Sequence, residues 1–544
     1  MTNAELSIDG SSGGILNIIA GNVEVNSGLL DLSTTTAAKI GSSSSSSGTL
    51  TLNAGNIQAF QIHLGETANG LGVLNLSNGL FNCSSLFTLG QSAGTTGIVS
   101  VAGGKLLVTN DLTRVGNLGD GKMVISGGEA DFAFLSLGDN LGSSGVVALT
   151  SGKLAIVPRT TNDWLRIGNY GNAEFDVSGG TALVLSEVHI ADNAGSVGTV
   201  VVSGGQFIAT NDITAIGRYG SGLMVVSNSL VQLTNASVGR HDGAEGTLIV
   251  EKDGTVTQAD DLSIGRFSGA IGHVLISGGS LALTNDNLWV GREGAGDLTV
   301  SNGSVSAQAM FVGMSPEGSS APSGTVLLAG GTTVLSSNLI IGTSLLSTGQ
   351  VSVLGGSLAV LSSNQSGYIT IASGLLSLDG GTLAADQLWL TNSSGQLSFT
   401  GGQLHLRNAT IGNGTPFVVG DGINPATLQL EGGTVSFADG LVISSNATIT
   451  GCGTIVGNIV NRGTISTNCG PAAPLITKLI KQSTDATIYF TTANGLNYEL
   501  EYKDILNQTN WLTLPQSAAG NGSILTIADT NAVTETRFYR VHVQ

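Results

Sequence analysis

Four arginines, each placed directly after a hydrophobic residue and a glycine, are the side chains of this sequence best spaced to bind a ligand. They are Arg218, Arg240, Arg266 and Arg292. They lie in consecutive copies of a repeat, so stacked repeats would hold them in a column about 4.8 Å apart. Guanidinium groups bind anions through paired hydrogen bonds, so the column could bind an anionic polymer or glycan. The simpler interpretation is a solvated ladder offset by the nearby acids Asp242, Glu245 and Glu293.

The sequence contains no motif of a known catalytic or metal site. Its six histidines are scattered, and it has no nucleophile elbow, P-loop or H-E-x-x-H motif. Enzymes that act on polysaccharides need clustered carboxylates, or carboxylates beside arginine or lysine, and no such cluster is evident. We therefore predict no enzyme, no catalytic residue, no cofactor and no metal. Aspartates that recur five residues before the repeat glycine are interpreted as turn formers and not as a calcium site: Asp111, Asp163, Asp212, Asp260 and Asp286.

A second outward series changes from polar to apolar along the chain. Strand alternation points the residue before each closing hydrophobic residue outward. In the later repeats this residue becomes apolar, at Trp289, Phe311, Ile340 and Trp389. An outward apolar stripe often marks a contact surface. The alternative, which the sequence leaves equally open, is that the long loop 315–322 folds over it.

These series exist because the chain repeats one phrase of about 22 to 26 residues. The phrase is clearest over Gly97–Gly116, Gly198–Gly217 and Gly272–Gly291. It has an alternating run ending in two glycines, a second alternating run, and a hydrophobic residue followed by glycine. A single run cannot bury its apolar side, but stacked copies make a continuous core.

The repeat predicts an all-β fold, a right-handed parallel β-solenoid of about 16–17 coils with stacked glycine corners. Equivalent residues of the first run should be buried in one column, because a register slip of one residue would turn all of them outward. They are Val101, Ile125, Val177, Val202, Ile276 and Val300.

The composition argues against a nucleic-acid-binding protein and against a membrane-spanning one. The 544 residues include 81 glycines, and the net charge of −18 argues against nucleic acid as a partner. No run of about 18 apolar residues is present, so we predict no transmembrane segment. The first residues lack the basic and apolar regions of a signal peptide.

The rhythm of glycines stops near Pro471, where tyrosines become frequent. Short alternating runs with turn signals between them predict a small antiparallel β-sandwich. We therefore divide the chain into a solenoid over residues 1–470 and a C-terminal module over residues 471–544.

The repeat resembles that of type V secretion passengers and PEP-CTERM-type bacterial surface proteins. The segment 449–470, with its Gly-Cys-Gly-Thr-Ile-Val-Gly-Asn run, resembles the end of such arrays. The ending Arg537-Phe-Tyr-Arg540 is similar to the C-terminal module of exported proteins of the Verrucomicrobia type. This resemblance implies export, and a secreted or cell-surface location. Cys452 and Cys469 could form a disulfide in an oxidising compartment, although two buried free thiols fit the sequence as well.

We therefore expect a secreted structural or adhesive surface protein, a stalk or a self-assembling filament subunit. The alternatives are a carbohydrate-active β-helix enzyme and a non-catalytic glycan-binding module. The expected partner is either a cell-surface glycan or a second copy. In the second case the strand-like segment 1–10 of one copy would dock head to tail on the C-terminal module of the next.

Overall fold

The computed structural model describes two compact units, one formed by residues 1–450 and 454–465, the other by 451–453 and 466–544. The described residues are 5–8 and 16–543, except 35, 161–162, 285, 317–320, 344–346, 468–472, 506 and 534–535. The predicted boundary between 470 and 471 lies outside them. None of the described residues forms a helix that could span a membrane.

The first unit is a stack of short strands. Its first twelve strands, β1 to β12, are Glu5–Ile8, Leu16–Val25, Leu29–Leu32, Ala38–Ile40, Ser47–Leu52, Asn56–Ala59, Ile62–Leu64, Leu71–Leu76, Leu80–Cys83, Phe87–Leu89, Thr96–Val101 and Lys105–Val115. Strands β13 to β28 are Asp120–Leu137, Ser144–Ile156, Leu165–Ile167, Asn172–Val177, Thr181–Val184, Val188–Ile190, Val197–Val202, Gln206–Ile216, Ser221–Ser227, Leu230–Val238, Glu245–Glu251, Thr255–Gln258, Leu262–Ile264, Ile271–Leu283, Asn287–Val290 and Ala295–Val312. Strands β29 to β43 are Ser323–Leu328, Thr332–Ile341, Thr348–Val353, Ser357–Val360, Tyr368–Ile371, Gly374–Leu378, Thr382–Leu390, Gly395–Phe399, Gly402–Ile411, Phe417–Val419, Ala426–Phe437, Leu441–Ile443, Ala447–Val456, Ile459–Asn461 and Thr464–Ser466.

The strands form a parallel β-solenoid, as predicted. Each strand pairs in register with its counterpart one coil away, so that Gly97, Gly121 and Gly145 occupy the same position in consecutive coils. The solenoid has about 18 turns, slightly more than the sequence predicted. The difference comes from the irregular coils at its ends, which lack the repeat glycine yet still pair with their neighbours.

The core is the inward column of the alternating runs. The six residues predicted to share this column, from Val101 to Val300, are each fully buried. The neighbouring rungs are in register, as with Val101 on Ile125 and Val177 on Val202. Equivalent residues of successive coils therefore stack in the interior, which confirms that one repeat makes one coil.

Glycine is required at the corners because successive coils approach closely there. Gly104 has a positive φ of 71°, and a Cβ placed on it would lie 2.4 Å from the carbonyl oxygen of Gly79 in the preceding coil. Any side chain would clash with that backbone as well as strain the left-handed conformation. The predicted stacking of glycine corners is confirmed at this position.

The N-terminal strand is paired within the chain. Strand β1 runs antiparallel to β2, with Leu6 opposite Ile18 and Ile8 opposite Leu16. The sequence predicted that this segment could pair with another copy. In the structure its described residues already pair with the first coil.

The second unit has two three-stranded antiparallel sheets. Its strands β44 to β49 are Ile476–Gln482, Asp485–Thr491, Asn497–Lys503, Leu512–Ala519, Ile524–Asp529 and Phe538–Val543. Buried Phe490 from one sheet and Tyr498 from the other share one small core, and their rings are 5.6 Å apart. The Tyr498 hydroxyl accepts a hydrogen bond from the Ala493 amide at 2.6 Å, which satisfies its buried polar end.

Candidate ligand-binding face

The four predicted arginines form one column on the solenoid, which we call the arginine ladder (Arg218, Arg240, Arg266 and Arg292). The backbone holds them in register, because the amide of Arg240 donates to the carbonyl of Gly217 and that of Arg266 donates to Gly239, each at 2.9 Å. The side chains were expected to be exposed. They are instead half-buried, and that of Arg218 is only 25% exposed.

Small residues beside the ladder explain this burial. The outward residue before the closing hydrophobic is Ala215, Ser237 or Ser263 in these coils, and all three are buried. Arg218, Arg266 and Arg292 reach back toward the preceding coil. Thus Arg292 Nη1 donates to Ser263 Oγ at 3.1 Å, and Arg266 Nη1 donates to Asn235 Oδ1 at 3.4 Å.

Only the two ends of the ladder meet an acid. Arg218 Nη1 lies 2.7 Å from Asp192 Oδ1, and Arg292 Nη1 lies 3.7 Å from Asp261 Oδ2. Within the described chain, Arg240 and Arg266 have no carboxylate within 4.0 Å. None of the acids Asp242, Glu245 and Glu293 forms an ion pair with the ladder. Burial and the charge of Arg292 lower the pKa of Arg266, and the charges of Asp261 and Glu293 oppose this shift from a longer distance.

Arg240 is the least compensated rung. Ile213 occupies the place beside it that Asn235 occupies beside Arg266, because Ile213 and Asn235 are paired in register. With no acceptor there, Arg240 Nη1 is buried and has no hydrogen-bond partner among the described residues. Burial, together with the neighbouring charges of Arg266 and Arg218, lowers the pKa of Arg240 to about 10.

A stack of aromatic rings runs along the outer side of the ladder. The rings of Tyr219 and His241 are 4.3 Å apart, and those of His241 and Phe267 are 5.2 Å apart. Arg240 Nε donates to His241 Nε2 at 3.3 Å, a bond that requires neutral histidine. Burial and the charge of Arg240 lower the pKa of His241 to about 4. The pKa of His241 therefore depends on its burial first and on the charges of the ladder second.

The coils that precede the ladder show the opposite arrangement, which we call the paired ladder (the ion pairs Lys39–Glu66, Arg114–Asp139 and Arg166–Asp192). In each pair the cation precedes the closing hydrophobic residue of one coil, and the acid follows the repeat position of the next. The three N–O distances are 2.6, 2.7 and 3.0 Å. Every cation of the paired ladder thus has an acid.

The predicted apolar stripe is buried at one end and exposed at the other. Trp289 stacks on Phe311 at 4.2 Å, donates its Nε1–H to Asp261 at 3.0 Å and is only 9% exposed. Trp389 at the other end stacks on Tyr368 and is 41% exposed. Ile340 lies between these ends in register with Phe311. The central residues of the loop proposed to cover the stripe, 317–320, lie outside the described residues.

Three of the aspartates near the ladder cluster within 4.8 Å of one another: Asp260, Asp261 and Asp286. Two of them cap their own turns, because the oxygens of Asp260 and Asp286 accept the next backbone amide at 2.9 Å. Burial, followed by the hydrogen bond with Asp261, raises the pKa of Asp286 to about 6. The turn role predicted for this series accounts for these contacts.

Sequence analysis missed a pocket of about 270 Å³ that combines acids and bases. Asp386, His405, Arg407 and Glu431 line it. His405 Nδ1 lies 3.1 Å from Glu431, and Asp386 accepts the amides of Ser362 and Gly367. His405 and Arg407 lie on one strand, and Asp386 and Glu431 lie on the strands of the coils before and after it.

The cysteines differ in state. Cys452 is in a disulfide, and its predicted partner Cys469 lies outside the described residues. Cys83 is free and buried, and burial raises the pKa of its thiol to about 12.

No family model, no curated protein and no solved structure shows significant similarity to the chain.

Proposed function

We propose that the protein is a secreted bacterial surface protein with an adhesive role, and that it binds an acidic polysaccharide along the arginine ladder. The observation that carries this proposal is the pair of consecutive arginines, Arg240 and Arg266, that have no acid within ion-pair distance among the described residues. After burial, the charges of Arg240, Arg218 and Arg266 lower the pKa of the neighbouring His241, although the chain as a whole carries −18.

A bound anion would reduce the repulsion between Arg240 and Arg266. Half-buried like charges repel one another, and an unpartnered buried donor forfeits a hydrogen bond. A carboxylate or sulfate between two rungs would accept hydrogen bonds from both guanidinium groups. Because the rungs recur with the coil spacing of about 4.8 Å, a polymer with regularly spaced anionic groups fits better than a single ion.

The aromatic stack favours an acidic sugar polymer over polyanions that lack sugar rings. Tyr219, His241 and Phe267 offer a flat, partly exposed surface beside the charges. Amphipathic rings of this kind provide contact area with a polar edge. The combination of charge and flat apolar surface suits a ring-shaped acidic sugar.

Export is supported by the resemblance of the repeat and by the disulfide of Cys452, because disulfides persist mainly in oxidising compartments. The filament alternative has less support. Assembly through the N-terminal strand would first have to break the pairing of β1 with β2. We therefore favour an adhesin or stalk over a filament subunit.

The pocket at His405 is the observation that favours the second candidate, a carbohydrate-active enzyme. It brings a His–Glu pair and an Asp–Arg pair to one cavity, and general acid–base chemistry needs such groups. Reducing-end release from neutral and acidic polysaccharides should be measured for the protein and for Glu431→Gln. Release that the variant abolishes would establish catalysis at this pocket, and no release would leave binding as the function.

The binding function is tested by native electrophoresis in gels containing polygalacturonate. We expect the protein to be retarded, and Arg240→Gln/Arg266→Gln to weaken the apparent affinity at least tenfold. The control is Lys122→Gln/Lys153→Gln, which removes the same charge away from the ladder and should bind normally. Retardation should fall with added salt. Equal loss in both double variants would reduce the effect to net charge and would contradict the proposal.

A further inference from the structure

A groove on another part of the solenoid lies across the first strand of several later coils. One section has a volume of about 600 Å³ and the next about 380 Å³. Both sections are lined by Leu375 and Gln396, so they meet there. We call this surface the polar groove.

Short turns border the groove in two coils. Ala372 and Ser373 alone connect β33 to β34, and residues 391–394 connect β35 to β36. Glycines line the floor in register, with Gly324 beside Gly349 and Gly374 beside Gly395. A Cβ on any of these four glycines would lie within 2.6 Å of a carbonyl oxygen of a neighbouring coil, so the floor is closely packed backbone.

Three of the four rungs of the groove are neutral hydrogen-bonding side chains, and the fourth is a leucine. Thr325, Gln350, Leu375 and Gln396 are consecutive members of one outward column. Gln350 and Gln396 are exposed. Each amide can both donate and accept hydrogen bonds, as can the hydroxyls of Ser323 and Thr348 nearby.

Among the residues that the structure describes, none of those lining the two sections of the polar groove is charged. The groove therefore offers nothing to attract an anion or a cation, unlike the arginine ladder. It also offers no carboxylate or histidine that could act as general acid or base. A ligand rich in hydroxyl groups, which bind amides and hydroxyls equally as donor and acceptor, matches this lining.

From these observations we propose that the polar groove binds a segment of a neutral polysaccharide without cleaving it. The four rungs from Thr325 to Gln396 span about 14 Å at the coil spacing, enough for several sugar units. The apolar side chains of Leu375 and Val418, the latter 45% exposed, provide contact for sugar faces. This site is separate from the arginine ladder and does not depend on it.

A peptide is the less suitable occupant. Peptides that bind sheets usually add a strand to a free edge. Here the backbone of the groove strands is already paired on both sides, as β31 is with β29 and β34. Recognition must therefore use the side chains.

The experiment is native electrophoresis of the whole chain in gels containing one of three neutral polysaccharides: hydroxyethylcellulose, galactomannan or dextran. We expect at least one to retard the protein independently of salt. Gln350→Ala/Gln396→Ala should weaken that affinity at least tenfold. The matched control is Gln58→Ala/Gln308→Ala, which removes exposed amides outside the groove and should bind normally.

Arg240→Gln/Arg266→Gln should also bind the neutral polymer normally, so the failure of one site is distinguishable from failure of the other. The proposal is overturned if none of the three polymers retards the protein. It is equally overturned if the groove variant binds as tightly as its control, or if binding is lost in the arginine variant.

Discussion

In the paired ladder of the upstream coils each cation meets an acid one coil later, whereas in the arginine ladder of the downstream coils arginine follows arginine. The backbone is the same in both regions. The paired ladder puts cations before the closing hydrophobic residue and acids after the repeat position. From Arg218 onward the position that held acids holds arginines, but the position that held cations becomes small and neutral.

Charge compensation in this fold depends on two columns together: the residue before the closing hydrophobic residue and the residue after the repeat position. Asp192 is the last acid of the paired ladder, and it bonds Arg166 behind it and Arg218 ahead of it. After Asp192 the acid column changes to arginine, but the cation column changes to neutral residues and not to acids, so it supplies no partner. The fold tolerates this charge because the core beneath is unaffected.

The largest expected effect comes from removing the acid that joins the two regions. Asp192 is 4% exposed and contacts Arg166, Arg218 and His189. Asp192→Ala leaves these groups without their acid, and we expect a loss of about 3 kcal/mol in the free energy of unfolding. Urea unfolding measures it. A loss below about 1 kcal/mol would show that the pairing contributes little.

Arginines on either side of the junction should respond differently to the same change. Arg218→Met removes a partner of Asp192 and should cost about 1–2 kcal/mol. Arg240→Met removes a repelled, unpartnered charge and keeps the apolar stem, so stability should stay the same or rise. The matched pair is measured by urea unfolding at one pH. Equal costs would mean that the two regions are not electrostatically different.

Restoring the missing acid should convert the downstream region to the upstream type. Ile213→Glu places a carboxylate beside Arg240, and we expect stability to rise by about 0.5 kcal/mol, typical of a partly exposed ion pair. Binding of polygalacturonate should be lost.

Ile213→Gln is the control for that substitution, because it supplies an acceptor but no charge, as Asn235 does for Arg266. It should keep polygalacturonate binding. If Ile213→Glu binds as well as Ile213→Gln, the uncompensated charge is not what attracts the polymer.

The repeat phrase was sufficient to predict the solenoid and its core. Val202 and its counterparts are buried because alternation and register alone decide which way a side chain points. The column of arginines followed from the same logic. The hydrogen-bond and ion-pair partners of the arginines did not follow from the repeat. The residue beside Arg240 is Ile213, which belongs to another column of the preceding coil.

Two other features depend on irregularities that a repeat pattern hides. The polar groove is bordered by the short turn at Ala372, and the pocket at His405 joins residues of neighbouring coils. The pairing of β1 with the first coil was also missed, since an antiparallel strand has no counterpart in the repeat. Sequence periodicity predicts what every coil shares and does not predict where single coils depart from it.

The central claim, that the arginine ladder is an uncompensated positive site that accepts an anion, is tested most directly by the pKa of His241. Because this pKa is lowered from 6.5 to about 4 in the folded chain, the unfolded chain binds the proton more strongly, and stability should fall as pH falls from about 6.5 to 4. The Cε1 proton resonance of His241, followed by NMR from pH 3 to 8, gives the value.

We predict a pKa near 4 for the free protein, a rise in Arg240→Gln, and a rise on adding polygalacturonate but not dextran. A pKa near 6.5 in the free protein, or one that polygalacturonate leaves unchanged, would contradict the account.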